Sequence, residues 1–249
     1  MDRWNNRIAV VTGASSGIGA ACCKYLVNNG MIVIGLARRK ERLDALRNEL
    51  KEDLRKNFNG IKCDISEESE VIKVFADIEQ NHGPVAVLVN NAGIVRRTEL
   101  LRENNTEDIR SILNTNVMGV VYCTREAFRS MKKHNIDGHV FIVNSIAGHK
   151  VLTFPGSSMN MYPPSKFAVT AMTEIYRNEF LLFNTKVKIT SISPGAVDTE
   201  IISEADRKAF GNMPILRSED VADAMIYCLQ TPSHVQIHEL TIKPVGEQF

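Results

Sequence analysis

The chain has 249 residues, 44% of them apolar and 24% charged, and its 30 Lys+Arg against 29 Asp+Glu give a formal net charge of +1. This is a globular mixture, which excludes a disordered or fibrous chain, and near-neutrality removes the electrostatic footprint of a nucleic-acid binder. At roughly 150 residues per domain the length allows one or two domains.

No apolar run approaches the ~20 residues that cross a bilayer, so no membrane span is expected. The polar start, Met1 to Arg7, lacks the apolar core of a signal peptide. The five cysteines, Cys22, Cys23, Cys63, Cys123 and Cys228, show no CxxC spacing and read as reduced thiols of a cytoplasmic protein. The six histidines have no metal-ligand spacing, so no metal site is expected.

Residues 8–11 read as a first strand, followed by a helix over 19–29 that stops at Gly30. A second strand at 31–36 leads into a charged segment in which Leu43, Leu46, Leu50 and Leu54 fall at helical spacing. Strands follow at 60–63, 85–89, 139–143, 188–192 and 239–242. Helical patterns occupy 67–80, 106–131, 165–183 and 218–229. Strand and helix in alternation predict a Rossmann-like α/β fold, a doubly wound parallel sheet with helices on both faces. In such sheets the ligand crevice lies at the carboxyl ends of the strands.

The run Thr12-Gly13-Ala14-Ser15-Ser16-Gly17-Ile18-Gly19 occupies that position after the first strand. Its glycines are spaced G-x3-G-x-G, not GxGxxG, but they can do the same work. Gly13 allows a tight turn, Gly17 lets backbone approach a pyrophosphate, and Gly19 permits close helix packing. No Gly-Lys-Ser/Thr follows, so it is not a P-loop. The second strand ends in Ala37-Arg38-Arg39, where an NAD site carries an acid for the ribose hydroxyls. Two guanidinium groups in place of that acid favour the 2′-phosphate of NADP.

The glycine run, Asn90-Asn91-Ala92-Gly93, Asn116, Ser145, Tyr162-Pro163-Pro164-Ser165-Lys166 and Pro194-Gly195 occur in the order of the short-chain dehydrogenase/reductase family, which the chain resembles over nearly its whole length. Residues 1–249 would then form a single NADP-binding domain. The opening Asp2-Arg3-Trp4 and the segment 231–237 are similar to those of insect farnesol dehydrogenases and mammalian cytosolic ketosteroid reductases.

A free tyrosine, with pKa about 10, is a poor base at neutral pH. Lys166 lies four residues after Tyr162, so an ammonium on the same helix face is expected to favour the phenolate and lower that pKa. Ser145, after a strand, would hydrogen-bond the substrate oxygen as charge develops on it. The resemblance implies that Lys166 also binds the nicotinamide ribose and that Asn116 holds water in a proton relay. It further implies cofactor contacts at Ser15, Ser16, Ile18, Asp64, Ile65, Asn91, Gly93, Pro194, Gly195, Val197 and Thr199. Asn90 and Asn91 could equally bridge strands, and Val197 could equally be core.

The segment 146–161 is longer than in many family members, which bears on the pocket wall. It offers Val151, Leu152, Phe154, Met159 and Met161, and the segment after Thr199 adds Ile201, Ile202, Phe210, Met213 and Leu216. Adaptable apolar walls of this kind suit a small apolar substrate, and together with the resemblance to farnesol dehydrogenases they imply an apolar alcohol or carbonyl such as farnesol or a related isoprenoid or sterol. The competing substrates are ketosteroids and dicarbonyls, and a competing class is an NADP(H)-binding sensor without turnover. The family resemblance also implies a homodimer or homotetramer.

Overall fold

The computed structural model describes all residues except 153–157, 205–206, 209–210, 212 and 248–249. Seven strands form one parallel sheet: β1 (Ile8–Thr12), β2 (Ile32–Ala37), β3 (Phe58–Lys62), β4 (Val85–Asn90), β5 (His139–Val143), β6 (Lys188–Pro194) and β7 (Glu239–Ile242). Their order is β3-β2-β1-β4-β5-β6-β7. The chain reverses direction across the sheet between β1 and β4, and a crevice opens there at the strands' carboxyl ends.

The central strands are unbroken apolar runs because both sheet faces are covered. Alternation along β1 shows how. Ala9 and Val11 pack on one face with Leu26, Met31, Met225 and Leu229. Ile8 and Val10 pack on the other with Val71, Ile78, Cys123 and Phe180. The first layer is built from α1 (Gly17–Asn28), α2 (Lys40–Glu49) and α7 (Ser218–Gln230). The second is built from α3 (Glu68–Asn81), α5 (Gly119–Lys133) and α6 (Tyr162–Leu182). Each fully buried Leu or Ile among them contributes about 1.5–3 kcal/mol.

Several boundaries differ from expectation. The helix near Leu43 ends at Glu49, and Leu54 belongs to a separate 3₁₀ turn, Glu52–Asn57. The third strand begins two residues earlier, at Phe58, whose ring packs beside Gly35 of β2. The pattern over 106–131 is not one regular helix. It is α4 (Thr106–Leu113), a π turn (Asn114–Met118) and then α5. Helix α6 starts at Tyr162, three residues before the expected start, because Pro163 and Pro164 occupy first-turn positions whose N–H groups need no helical partner. Gly30 does close α1, at φ +84°. All five cysteines are buried free thiols.

Candidate active site

The glycine loop is shaped by contacts that exclude side chains. Gly13 adopts φ +65°, and a Cβ there would lie 2.8 Å from Ala92 Cα. Gly17 adopts φ +54°, and its Cβ would meet the Thr199 methyl at 2.9 Å. A Cβ on Gly19 would strike the Gly13 carbonyl oxygen at 2.3 Å. Helix α1 therefore starts directly behind the loop, with its free N–H groups aimed at the crevice. Asn91 stitches the β4 end to this loop: its amide donates to the carbonyls of Thr12 (2.9 Å) and Gly13 (3.2 Å). Asn90 turns the other way and donates to Thr124 Oγ1.

A cavity of about 610 Å³ runs along the crevice. Its lining includes Gly13, Ser15, Ser16, Gly17, Ile18, Arg38, Arg39, Asp64, Ile65, Asn91, Gly93, Ser145, Tyr162, Lys166, Pro194, Gly195, Val197 and Thr199. Two expected site residues are not on the wall. Gly19 is consumed by helix packing, and Asn116 sits behind Ile94.

At one end Arg39 folds back over the glycine loop, its Nη2 donating to Ser15 Oγ (3.0 Å) and Ser16 Oγ (3.1 Å). Arg38 points elsewhere, 3.8 Å from Asp64. A guanidinium, two hydroxyls and a helix N-terminus form a donor set suited to phosphate, and the positive-φ glycines leave backbone clear for close approach. The residues present therefore fit a phosphorylated dinucleotide.

At the other end Ser145 lies two residues past β5 and caps a 3₁₀ turn (Ile146–Gly148) by accepting from the Ala147 N–H at 3.1 Å. Tyr162 and Ser145 face the same cavity. Lys166, one turn along α6, is buried, with Nζ 5.6 Å from the Tyr162 ring centroid. Its ammonium donates to the Val143 carbonyl at 2.9 Å, and burial lowers its pKa to about 8.

The expected lowering of the Tyr162 pKa by Lys166 is not found. Burial raises it, while the Ser145 side chain and the positive charge of Arg97 oppose the rise. The Asn116 side chain is engaged by protein groups. The π turn aims its amide at Ile94, accepting from that N–H (2.8 Å) and donating to that carbonyl (2.9 Å) and to Ser165 Oγ (3.1 Å).

Leu152, Met159, Ile201 and Ile202 line the cavity as the apolar wall. Val151 is instead 70% exposed, Leu216 pairs with Val197 in an isolated bridge, and Met161 and Met213 lie off the wall. Phe154 and Phe210 fall outside the described residues. Three charged wall residues have no motif to announce them, Arg96, Arg97 and Glu200, and Arg42 pairs with Glu200 from off the wall. Arg96 pairs with Asp108 at 3.4 Å. The C-terminal segment also reaches the site. The buried Glu247 carboxylate accepts from the Ala196 N–H at 3.1 Å, beside Gly195.

The family model for the short chain dehydrogenases matches residues 7–209. A farnesol dehydrogenase of Aedes aegypti is 52% identical over 249 residues, covering all of both chains. Human dehydrogenase/reductase SDR family member 11 is 39% identical over 259 residues, covering 99% of this chain and 97% of the relative. Among solved structures, the closed form of a serine dehydrogenase complexed with NADP⁺ superposes with a TM-score of 0.85 at 29% identity, covering 97% of this chain and 96% of that one.

Proposed function

The chain belongs to the short-chain dehydrogenase family of oxidoreductases, and from that premise we propose that residues 1–249 form one NADP(H)-dependent domain that interconverts an apolar alcohol and its carbonyl. The observation that carries this reading is that Ser145, Tyr162 and Lys166 line the same cavity as the Arg39–Ser15–Ser16 cluster.

NADP(H), when bound, supplies or accepts the hydride at the substrate carbon. Gly13, Ser15, Ser16, Gly17 and Ile18 would hold its phosphates, and Arg39 with Arg38 the 2′-phosphate. Asp64 and Ile65 would face the adenine. Asn91, Gly93, Pro194, Gly195, Val197 and Thr199 would border the nicotinamide half. Ser145 positions the substrate oxygen by donating a hydrogen bond. Tyr162 moves the proton: its phenol donates to a carbonyl oxygen, and its phenolate accepts from an alcohol. The Lys166 ammonium has donors beyond the one given to Val143, and it would bind the nicotinamide ribose. Asn116 serves as a positioning residue that fixes the Gly93–Ile94 wall.

A farnesol-like isoprenoid is the favoured substrate. The wall of Leu152, Met159, Ile201 and Ile202 suits an apolar chain, and a relative at 52% identity is named for farnesol. Comparing kcat/KM for farnesol, a ketosteroid and a dicarbonyl separates this reading from its rivals. A cytoplasmic homodimer or homotetramer is part of the same proposal. Phe167, Ala171, Ile175 and Leu182 leave an exposed apolar stripe along α6 that a second copy could cover.

The direct test is Tyr162→Phe assayed with NADPH and an apolar aldehyde. Turnover should fall by about 10²–10⁴-fold, the usual worth of a positioned acid or base, with NADPH binding retained. Wild-type turnover in that variant would end the mechanism. Tight NADPH binding by a wild-type protein inert toward every alcohol and carbonyl would favour the sensor.

A further inference from the structure

Glu200 follows Thr199 and enters the wall that also carries Ile201 and Ile202. Its carboxylate reaches back across the crevice to the basic cluster at the end of β2. One oxygen accepts from Arg39 Nη1 at 3.0 Å, and the other from Arg42. Both arginines hold the carboxyl below the usual carboxylate range. The same Arg39 guanidinium serves Ser15 and Ser16 through its other nitrogen. Two guanidinium groups thus converge on one anion position, beside the two loop hydroxyls, and an acid of this chain fills it.

We infer that Glu200 sets cofactor selectivity, its carboxylate competing with a 2′-phosphate for Arg39 and Arg42 and so narrowing the preference for NADPH over NADH. This rests on the NADP(H) reading given above. The physical ground is charge. A phosphate and a carboxylate cannot both occupy one guanidinium pair without repulsion, so binding of the 2′-phosphate must displace Glu200. NADH carries hydroxyls at that position. It meets no such repulsion and could donate to the carboxylate, the role an acid at the end of β2 plays in NAD sites. In this chain β2 ends without that acid, and the residue after Thr199 brings one to the same place.

Calorimetric titration of NADPH and NADH into the wild type and Glu200→Gln reads the effect without turnover. The amide keeps size and polarity while removing the charge. The variant should bind NADPH about three- to tenfold more tightly, the scale of one or two exposed ion pairs, with NADH unchanged or weakened. Unchanged or weaker NADPH binding, or equal tightening of both cofactors, would overturn the inference. Failure of the underlying reading appears separately, in the wild-type arm alone, as binding of NADH with little or none of NADPH.

Discussion

The tyrosine at the centre of the site is tuned by a residue no spacing rule points to. Lys166 is legible from its place four residues after Tyr162, and its ammonium donates to the Val143 carbonyl. Burial raises the Tyr162 pKa, and the Ser145 side chain and then the positive charge of Arg97, on the loop after β4, oppose the rise. Such through-space effects leave no local pattern in a sequence, whereas the glycines, the Tyr-x3-Lys pair and the arginines after β2 are visible because their roles depend on local backbone or neighbours. Arg97→Gln removes a cation that stabilises the phenolate, so the Tyr162 pKa should rise further. Alcohol oxidation needs the phenolate, and its kcat/KM profile should move to higher pH. Carbonyl reduction needs the phenol and should keep its rate on that limb. Arg97→Lys should restore the profile. Identical profiles for wild type and Arg97→Gln would show that Arg97 does not tune the tyrosine.

Elements were easier to find than their irregularities. Strands β4 and β5 stand out because strands buried on both faces must be continuously apolar, and α6 because its apolar residues recur with helical period. The π turn was hidden, since one inserted residue shifts helical phase too little to alter an apolar pattern. It is nonetheless what delivers Asn116 to Ile94: the Gly119 N–H bonds the Asn114 carbonyl five residues back, and the intervening turn carries Asn116 inward. Asn116→Ala would leave the Ile94 N–H and carbonyl without their partner, at about 1–3 kcal/mol for an unsatisfied buried group. The urea midpoint should fall accordingly, and because Gly93 and Ile94 line the cavity, NADPH should bind more weakly. A destabilised variant with unchanged cofactor affinity would separate the turn from the site.

At the scale of the molecule, the chain order of motifs implies one crevice but does not show how the N-terminal turn meets the segment after α7. Trp4 Nε1 donates to the Leu229 carbonyl at 2.9 Å, and Arg3 donates to the carbonyls of Leu229 and Thr231, so the N-terminal turn closes the end of α7. Lys188 joins them from β6, donating to Thr231 Oγ1 and the Val235 carbonyl. The segments Asp2–Trp4 and 231–237, distant in sequence, are thus one contact at the end of the sheet opposite the crevice. His139 lies beside it, fully buried, stacked on Phe141 at 4.0 Å and bonded to Thr190 Oγ1 at 2.8 Å. Burial, then the charges of Lys188 and Arg3, holds its pKa well below the ordinary 6.5. The unfolded chain therefore takes up a proton near pH 6.5 that the folded one refuses, and stability present above that pH is lost as pH falls. The expected slope is about 1.4 kcal/mol per pH unit for one such proton. Urea unfolding between pH 7 and 5 measures it, and His139→Phe, which has nothing to protonate, should flatten the slope. An equal slope in that variant would place the acid sensitivity of the fold elsewhere.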